Sequence, residues 1–99
     1  MHYTTFETEE YSDWLDLQTL KSRRQILDRI SKIEDDGYFG NHKYLEDDDL
    51  WELKFNDGRR IYYVTVKETN VILLLGGNKN GQDKDINKAE KIYKDWVYD

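Results

Sequence analysis

The stretch Val71–Leu75, VILLL, is an unbroken apolar run in a chain that is otherwise rich in charged residues. A strand with one face in water would alternate apolar and polar residues, so this run predicts a strand that is covered on both faces. Asn70 precedes the run, and Gly76 and Gly77 follow it. The pattern therefore predicts a central strand of a sheet, ended by a tight turn at the two glycines.

Three helices are predicted, because apolar residues recur at helical spacing in three segments. The first covers Glu9 to Leu20, and the second runs from Ser22 to a C-terminal stop at Gly37. The third begins at Asp83 or Asp85 and continues toward the C-terminus. The apolar stripes consist of Tyr11, Trp14, Leu15 and Leu17 in the first helix, Ile26, Leu27, Ile30 and Ile33 in the second, and Ile86, Ala89, Tyr93 and Trp96 in the third.

A β-hairpin is predicted from Leu50 onward, where Trp51, Leu53 and Phe55 alternate with polar residues. The turn residues Asp57-Gly58 then precede a second strand, RRIYYVTVK. This period of two predicts that one face of the hairpin is buried.

The length of the hairpin loop decides which residues face each other across the two strands. A two-residue loop at Asp57-Gly58 would pair Phe55 with Arg60, which mixes core with charge. A three-residue loop at Asp57–Arg59 pairs Phe55 with Ile61, and we prefer it for that reason. The consequence is one apolar sheet face and an opposite face that is cationic and aromatic.

The cationic face is the best candidate for a functional site. It is predicted to hold Glu52, Lys54, Arg60 and an outward-pointing Tyr62, with Lys79 at the end of the next strand. Cleavage of RNA through its 2′-hydroxyl needs a base, cations that stabilise the phosphorane, and an acid for the leaving oxygen. Lys, Arg and Tyr can share these roles without a metal. The alternative interpretation is that these side chains only solvate an open sheet face.

Composition narrows the classes of function. The net charge of −6 argues against a protein that holds nucleic acid by bulk electrostatics. The absence of cysteine excludes disulfides and thiolate metal sites, and no nucleophile elbow, phosphate-binding glycine loop or histidine zinc motif occurs. His42 and the triplet Asp47–Asp49 are interpreted as a solvated acidic turn rather than a calcium loop. We therefore expect no metal and no other cofactor.

The length of 99 residues fits one domain, residues 1–99. The longest apolar run is far shorter than the ~20 residues that a membrane span needs, and the N-terminal segment does not have the pattern of a signal peptide. We expect a cytoplasmic protein without a membrane partner.

Several motifs, in their order and spacing, resemble the phage Gp49-like and HigB-like toxins of the RelE/ParE superfamily. They are DWL, RRQILDRISKIE, GNHKYL, WELKF, GRRIYYV and VILLLGGNKNGQDKDI, and the resemblance extends over about residues 13–91. It implies a compact α+β fold, in which a helix hairpin packs on a small, mainly antiparallel sheet. It also implies a short N-terminal strand within His2–Phe6 and a C-terminal helix.

The resemblance also implies a function, that of a toxin neutralised by a small antitoxin protein. Many relatives are metal-independent endoribonucleases that cleave mRNA in the ribosomal A site, so the expected partners are the antitoxin, the ribosome and mRNA. ParE relatives act on DNA gyrase instead, which is one alternative. A catalytically degenerate domain that only binds a partner is another.

Individual positions match the family's motifs. The candidate catalytic residues are Lys54, Arg60 and Lys79, and the candidate substrate contacts are Lys43, Arg59 and Tyr62. Arg59 stands where many relatives have tyrosine. Ribosome-dependent relatives often carry a tyrosine or another acid–base group around the start of the last helix. This chain has Ile86 in that region, with Asp83, Asp85 and the later Tyr93 as substitutes.

Overall fold

The computed structural model describes residues 2–46 and 48–98, which form a five-stranded sheet with helices on both faces. The helices are α1 (Glu9–Asp16), α2 (Leu20–Asp36) and α3 (Gln82–Tyr98), and the strands are β1 (Thr4–Glu7), β2 (His42–Leu45), β3 (Leu50–Lys54), β4 (Arg59–Val66) and β5 (Asn70–Asn78). The strand order is β1-β5-β4-β3-β2, and β1 pairs with β5 in parallel while the other pairs are antiparallel. The predicted α+β class and the mainly antiparallel sheet are confirmed.

Strand β5 is central, as the apolar run predicts. It lies between β1 and β4, and Val71–Gly76 is buried along its whole length. Val71 and Leu73 belong to the core beneath α1 and α2, whereas Ile72 and Leu74 belong to the core beneath α3. The sheet is therefore the middle of three layers, which is why the strand needs no polar face.

The two glycines after the apolar run do not end the strand, contrary to the prediction. β5 continues through Gly76 and Gly77 to Asn78, and neither glycine is among those with positive φ. A Cβ atom at Gly76 would overlap the ring of Trp14 from α1, and one at Gly77 would overlap the carboxyl group of Asp85 from α3. The glycines therefore allow a helix to approach the strand closely on each face.

The first predicted helix is interrupted, because a new helix starts at its C-terminal end. Thr19 is the N-cap of α2, and its hydroxyl accepts a hydrogen bond from the backbone N–H of Ser22 at 3.2 Å. Leu17 lies in the break and is 84% exposed, so its assignment to the buried stripe is wrong. Leu27 and Trp96, which the spacing also assigned to buried stripes, are exposed.

The ends of the other helices lie close to their predicted positions. α2 ends at Gly37, which has φ 68° and forms the predicted C-cap. α3 begins at Gln82, directly before the predicted Asp83. Among the described residues, no helix combines the length and the apolar character needed to cross a membrane.

The hairpin has the predicted faces but not the predicted register. Lys54 faces Arg60 rather than Tyr62, which is a shift of two residues along β4. The loop is Asn56–Gly58, one residue earlier than predicted, and Gly58 with φ 94° takes the last loop position, where three-residue hairpins favour glycine. Because the shift is an even number of residues, every side chain keeps its predicted face.

The segment interpreted as an acidic turn begins with a strand that the sequence analysis did not predict. His42–Leu45 forms β2 at the edge of the sheet and pairs with β3. The turn follows β2 and contains Asp49 at φ 54°. Asp47 of the acidic triplet lies outside the described residues.

Replacement of Gly76 by alanine is expected to destabilise the protein strongly, because the new methyl group would overlap the Trp14 indole, which packs against the core. Gly77→Ala is the matched control, since its methyl group would meet the Asp85 carboxyl group at the free end of a flexible side chain. We expect losses of about 3 kcal/mol for Gly76→Ala and about 1 kcal/mol for Gly77→Ala in urea unfolding. Equal losses would contradict a specific role of the Trp14 contact.

Candidate functional site

The hairpin end of the sheet brings together the three candidate catalytic residues. Lys54 is the last residue of β3 and faces Arg60 on β4, and Arg60 in turn faces Gly77 on β5. Lys79 follows β5 directly, and its backbone N–H donates a hydrogen bond to the carbonyl oxygen of Gly58 at 2.9 Å. The aliphatic part of Lys79 therefore lies against the hairpin loop.

Lys54 and Lys79 are the cations at the hairpin end that an anionic ligand could pair with. Among the described residues, no carboxylate forms an ion pair with Lys54 or Lys79. Lys79 is exposed and Lys54 is half-buried. Both ammonium groups can therefore meet an anionic ligand without first breaking an ion pair.

Arg60 is in a different situation, because it has a buried carboxylate partner. Its Nη1 atom lies 2.6 Å from Oε1 of Glu52, which is completely buried. Gln82, the first residue of α3, donates a hydrogen bond to the other carboxylate oxygen at 2.8 Å. The Nε atom of Arg60 is buried and has no hydrogen-bond partner among the described residues. Glu52 therefore fixes the guanidinium group through one of its nitrogens.

The sheet face that carries these residues is not open, so the expected outward orientation of Tyr62 is wrong. Helix α3 covers it, with Ala89 and Ile92 in the core cluster that contains Tyr62. Tyr62 was predicted to point outward but is fully buried, and its hydroxyl has no partner among the described residues. Burial and the nearby Glu52 carboxylate raise the pKa of Tyr62 above its usual range. Tyr62 therefore cannot contact a substrate in this conformation.

Asp85 is a further acidic group at this end of the sheet. It lies in the first turn of α3, and its carboxyl group is next to the backbone of Gly77. Burial raises its pKa, and Lys88 and Lys84 offset part of that increase. A raised pKa lets a carboxyl group keep its proton to a higher pH than usual, which suits a proton donor.

The other two candidate substrate contacts lie outside this group. Arg59 is on the opposite sheet face, where it donates hydrogen bonds to Asp57 and Gln25, each at 2.6 Å. Lys43 is exposed on the edge strand β2 and faces Glu52 across the β2–β3 ladder. The structure thus separates the candidates into the Lys54–Arg60–Lys79 group, Arg59 on the other face, and Lys43 at the sheet edge.

Arg29 is a further cationic residue near the hairpin, and the sequence patterns did not single it out. Its guanidinium group donates hydrogen bonds to the carbonyl oxygens of Phe39 at 2.9 Å, Asn41 at 2.7 Å and Lys54 at 2.7 Å. It also lies 4.8 Å from the centre of the Phe55 ring. Arg29 therefore joins α2 to the strand that carries Lys54, a contact between distant segments that helical spacing does not reveal.

No group of three or more histidine, aspartate or glutamate side chains within residues 2–46 and 48–98 is arranged to hold a metal ion.

Comparison with known proteins decides the family. Residues 13–94 match the model of the family described as "Phage derived protein Gp49-like (DUF891)". The chain belongs to this family. An uncharacterized protein of Haemophilus influenzae is 35% identical over 88 residues, which are 86% of this chain and 87% of that protein. The Gp49-like part of the resemblance noted in the sequence is therefore confirmed.

A solved structure supports the same fold. A mutant of the Escherichia coli toxin RelE in the free state superposes with a TM-score of 0.65, over 91% of this chain and 95% of that one. The two sequences are 13% identical, so this similarity concerns the fold.

Glu52→Gln is expected to lower the free energy of unfolding by about 3 kcal/mol, because it leaves the mostly buried Arg60 charge without a carboxylate. The double variant Glu52→Gln/Arg60→Met removes both charges and should lose less than the sum of the single variants. Denaturant unfolding of the four proteins completes a double-mutant cycle. Strictly additive losses would show that the two side chains do not interact.

Asp85→Asn is expected to raise the melting temperature near neutral pH. A folded-state pKa above the unfolded value of about 3.9 means that the carboxyl group contributes most to stability below that pH. This contribution to stability is lost as the pH rises through the folded-state pKa. Replacing the carboxyl group with an amide therefore stabilises the protein only at higher pH. Melting curves at about pH 7 and about pH 4 should show the gain shrinking toward acid. Asp83→Asn, in the same helical turn but exposed, is the control; an Asp85→Asn gain of equal size at both pH values would contradict the expectation.

Proposed function

We propose that this Gp49-like toxin is a ribosome-dependent endoribonuclease that cleaves mRNA and is neutralised by a small antitoxin protein. The observation that carries the proposal is the grouping of Lys54, Arg60 and Lys79 at the hairpin end of the sheet. The two lysines have no carboxylate partner among the described residues, so this end can accept a phosphate group. Membership of the Gp49-like family supports the antitoxin partner.

The reaction that fits these groups is transfer of the phosphate to the neighbouring 2′-hydroxyl. A base takes the hydroxyl proton, the 2′-oxygen bonds to phosphorus, and the bond from phosphorus to the 5′-oxygen breaks. The leaving 5′-oxygen receives a proton, so the products carry a 2′,3′-cyclic phosphate and a 5′-hydroxyl. Lys54 or Lys79 takes the 2′-hydroxyl proton, and Asp85 or the other lysine gives a proton to the leaving 5′-oxygen.

Arg60 has the role of stabilising the charge on the phosphorane. Glu52 engages Nη1, which leaves other N–H groups of the guanidinium for an equatorial oxygen. Because Gln82 holds the Glu52 carboxylate in place and that carboxylate accepts a hydrogen bond from Arg60, the guanidinium is already oriented before substrate arrives. Such preorganisation is what electrostatic stabilisation of a transition state requires.

A non-catalytic inhibitor is the second candidate. The observation that favours it is the Glu52 carboxylate, which already neutralises Arg60. In that case the lysines of the hairpin end would bind a protein target such as DNA gyrase, without chemistry.

Lys54→Ala and Lys79→Ala are expected to reduce cleavage of mRNA by about 100-fold each if the residue moves a proton in the reaction. The measurement is primer extension of the message after addition of purified protein to a reconstituted translation reaction. Lys91→Ala, an exposed lysine on α3, is the matched control. Arg60→Lys tests the arginine while leaving Glu52 with a cationic partner.

New 5′ ends that require both ribosomes and Lys54 would support the nuclease. An uncut message with normal translation would contradict it. A supercoiling assay with gyrase at physiological salt then tests the second candidate.

A further inference from the structure

A second cationic site lies on the opposite face of the sheet, between α2 and the β3–β4 hairpin. It is a cleft of ≈ 420 Å³, a size within the range of small-ligand sites. Its lining includes Gln25, Arg29, Tyr38, Asn41, Phe55 and Arg59. We call it the Arg29 cleft. Lys54 also borders it, and its carbonyl oxygen accepts a hydrogen bond from Arg29 at 2.7 Å, so the cleft lies next to the Lys54–Arg60–Lys79 group.

The cleft carries an excess of positive charge in a chain whose net charge is −6. Among the described residues of its lining, Arg29 and Arg59 bring guanidinium groups and Asp57 brings a carboxylate, which pairs with Arg59 at 2.6 Å. Among the described residues, no carboxylate forms an ion pair with Arg29. Its hydrogen bonds go to carbonyl oxygens, which hold the guanidinium group without cancelling its charge. An anion in the cleft would therefore be attracted.

The cationic groups are fixed before any ligand binds. The guanidinium carbons of Arg29 and Arg59 lie 4.8 Å and 5.3 Å from the centre of the Phe55 ring. Their hydrogen bonds to the protein hold both planes in place, so little side-chain entropy remains to be lost on binding. Tyr38 adds an aromatic side chain that is 62% exposed, which makes its ring accessible for stacking.

We propose that the Arg29 cleft binds one nucleotide of a single-stranded RNA, with the phosphate near Arg29 and Arg59 and the base stacked on Tyr38. This rests on the proposed function, because it gives the RNA a path from the cleft past Lys54 to the reacting phosphate. The combination of guanidinium groups with an exposed aromatic ring favours a nucleotide over an acidic peptide. A chain of carboxylates would match the charge but would leave Tyr38 unused.

The test is binding of a fluorescent single-stranded RNA of about six nucleotides to the full chain, without ribosomes, followed by anisotropy. Tyr38→Ala should weaken binding about tenfold, the loss of one base stack. Asn56→Asp adds a carboxylate to the exposed part of the cleft lining and should weaken binding severalfold. Asn87→Asp makes the same charge change on an exposed position of α3 and should leave the affinity unchanged. Arg29 is left intact, because its bonds to three carbonyl oxygens hold α2 against β3.

Several results would overturn the proposal. One is the absence of RNA binding by the unmodified chain at low salt, and another is unchanged affinity in both Tyr38→Ala and Asn56→Asp. Displacement of the RNA by a glutamate oligopeptide of equal charge and at equal concentration would assign the cleft to an acidic polypeptide instead.

Failure of the cleft proposal can be distinguished from failure of the nuclease proposal. Weakened binding in the cleft variants beside an uncut message would uphold the cleft and refute the nuclease, while Lys54-dependent cleavage with unchanged binding would refute the cleft alone.

Discussion

Burial of β5 on both faces is the constraint on which the rest of the structure depends. The strand has no polar face, so a helical layer must cover each side of the sheet. At its C-terminal end the layers come so close that Gly76 and Gly77 have no room for side chains. The position at which Lys79 leaves the strand is thereby fixed against the hairpin loop. The geometry of the candidate site follows from the packing of the core.

Covering the second face with α3 also determines the electrostatics of the site. The helix encloses Glu52, and a buried carboxylate needs a charge or hydrogen-bond partner. Arg60 and Gln82 provide those partners, one from the sheet and one from the helix. A buried ion pair contributes little net stability compared with apolar packing, but it strongly disfavours arrangements that break it. The Glu52–Arg60 ion pair, together with Gln82, therefore fixes the position of the start of α3 over the hairpin end.

Sequence patterns predicted the features that depend on local chemistry and failed where distant segments meet. The apolar run predicted the central strand, and Gly37 predicted the end of α2, because each depends on neighbouring residues alone. Alternation assigned Lys54 and Arg60 to one face correctly, but alternation is unchanged by a shift of two residues, so it could not fix the register. The burial of Tyr62 depends on where α3 packs, and the spacing of apolar residues in α3 does not predict that position.

An acidic RNA-binding protein must concentrate its cations, because its average charge repels the phosphate backbone. In this chain the carboxylates Glu7, Glu9, Glu10 and Asp95 line a separate pocket, between the start of α1 and the end of α3. Arg29, Lys54 and Lys79 instead gather around the hairpin. A small number of phosphate contacts gives a weak dependence of binding on salt, since the slope scales with the number of phosphates neutralised. Under the proposed function, affinity for RNA must then come mainly from shape, stacking and oriented hydrogen bonds at the hairpin end, where Arg29 and Glu52 already hold the surrounding groups in place.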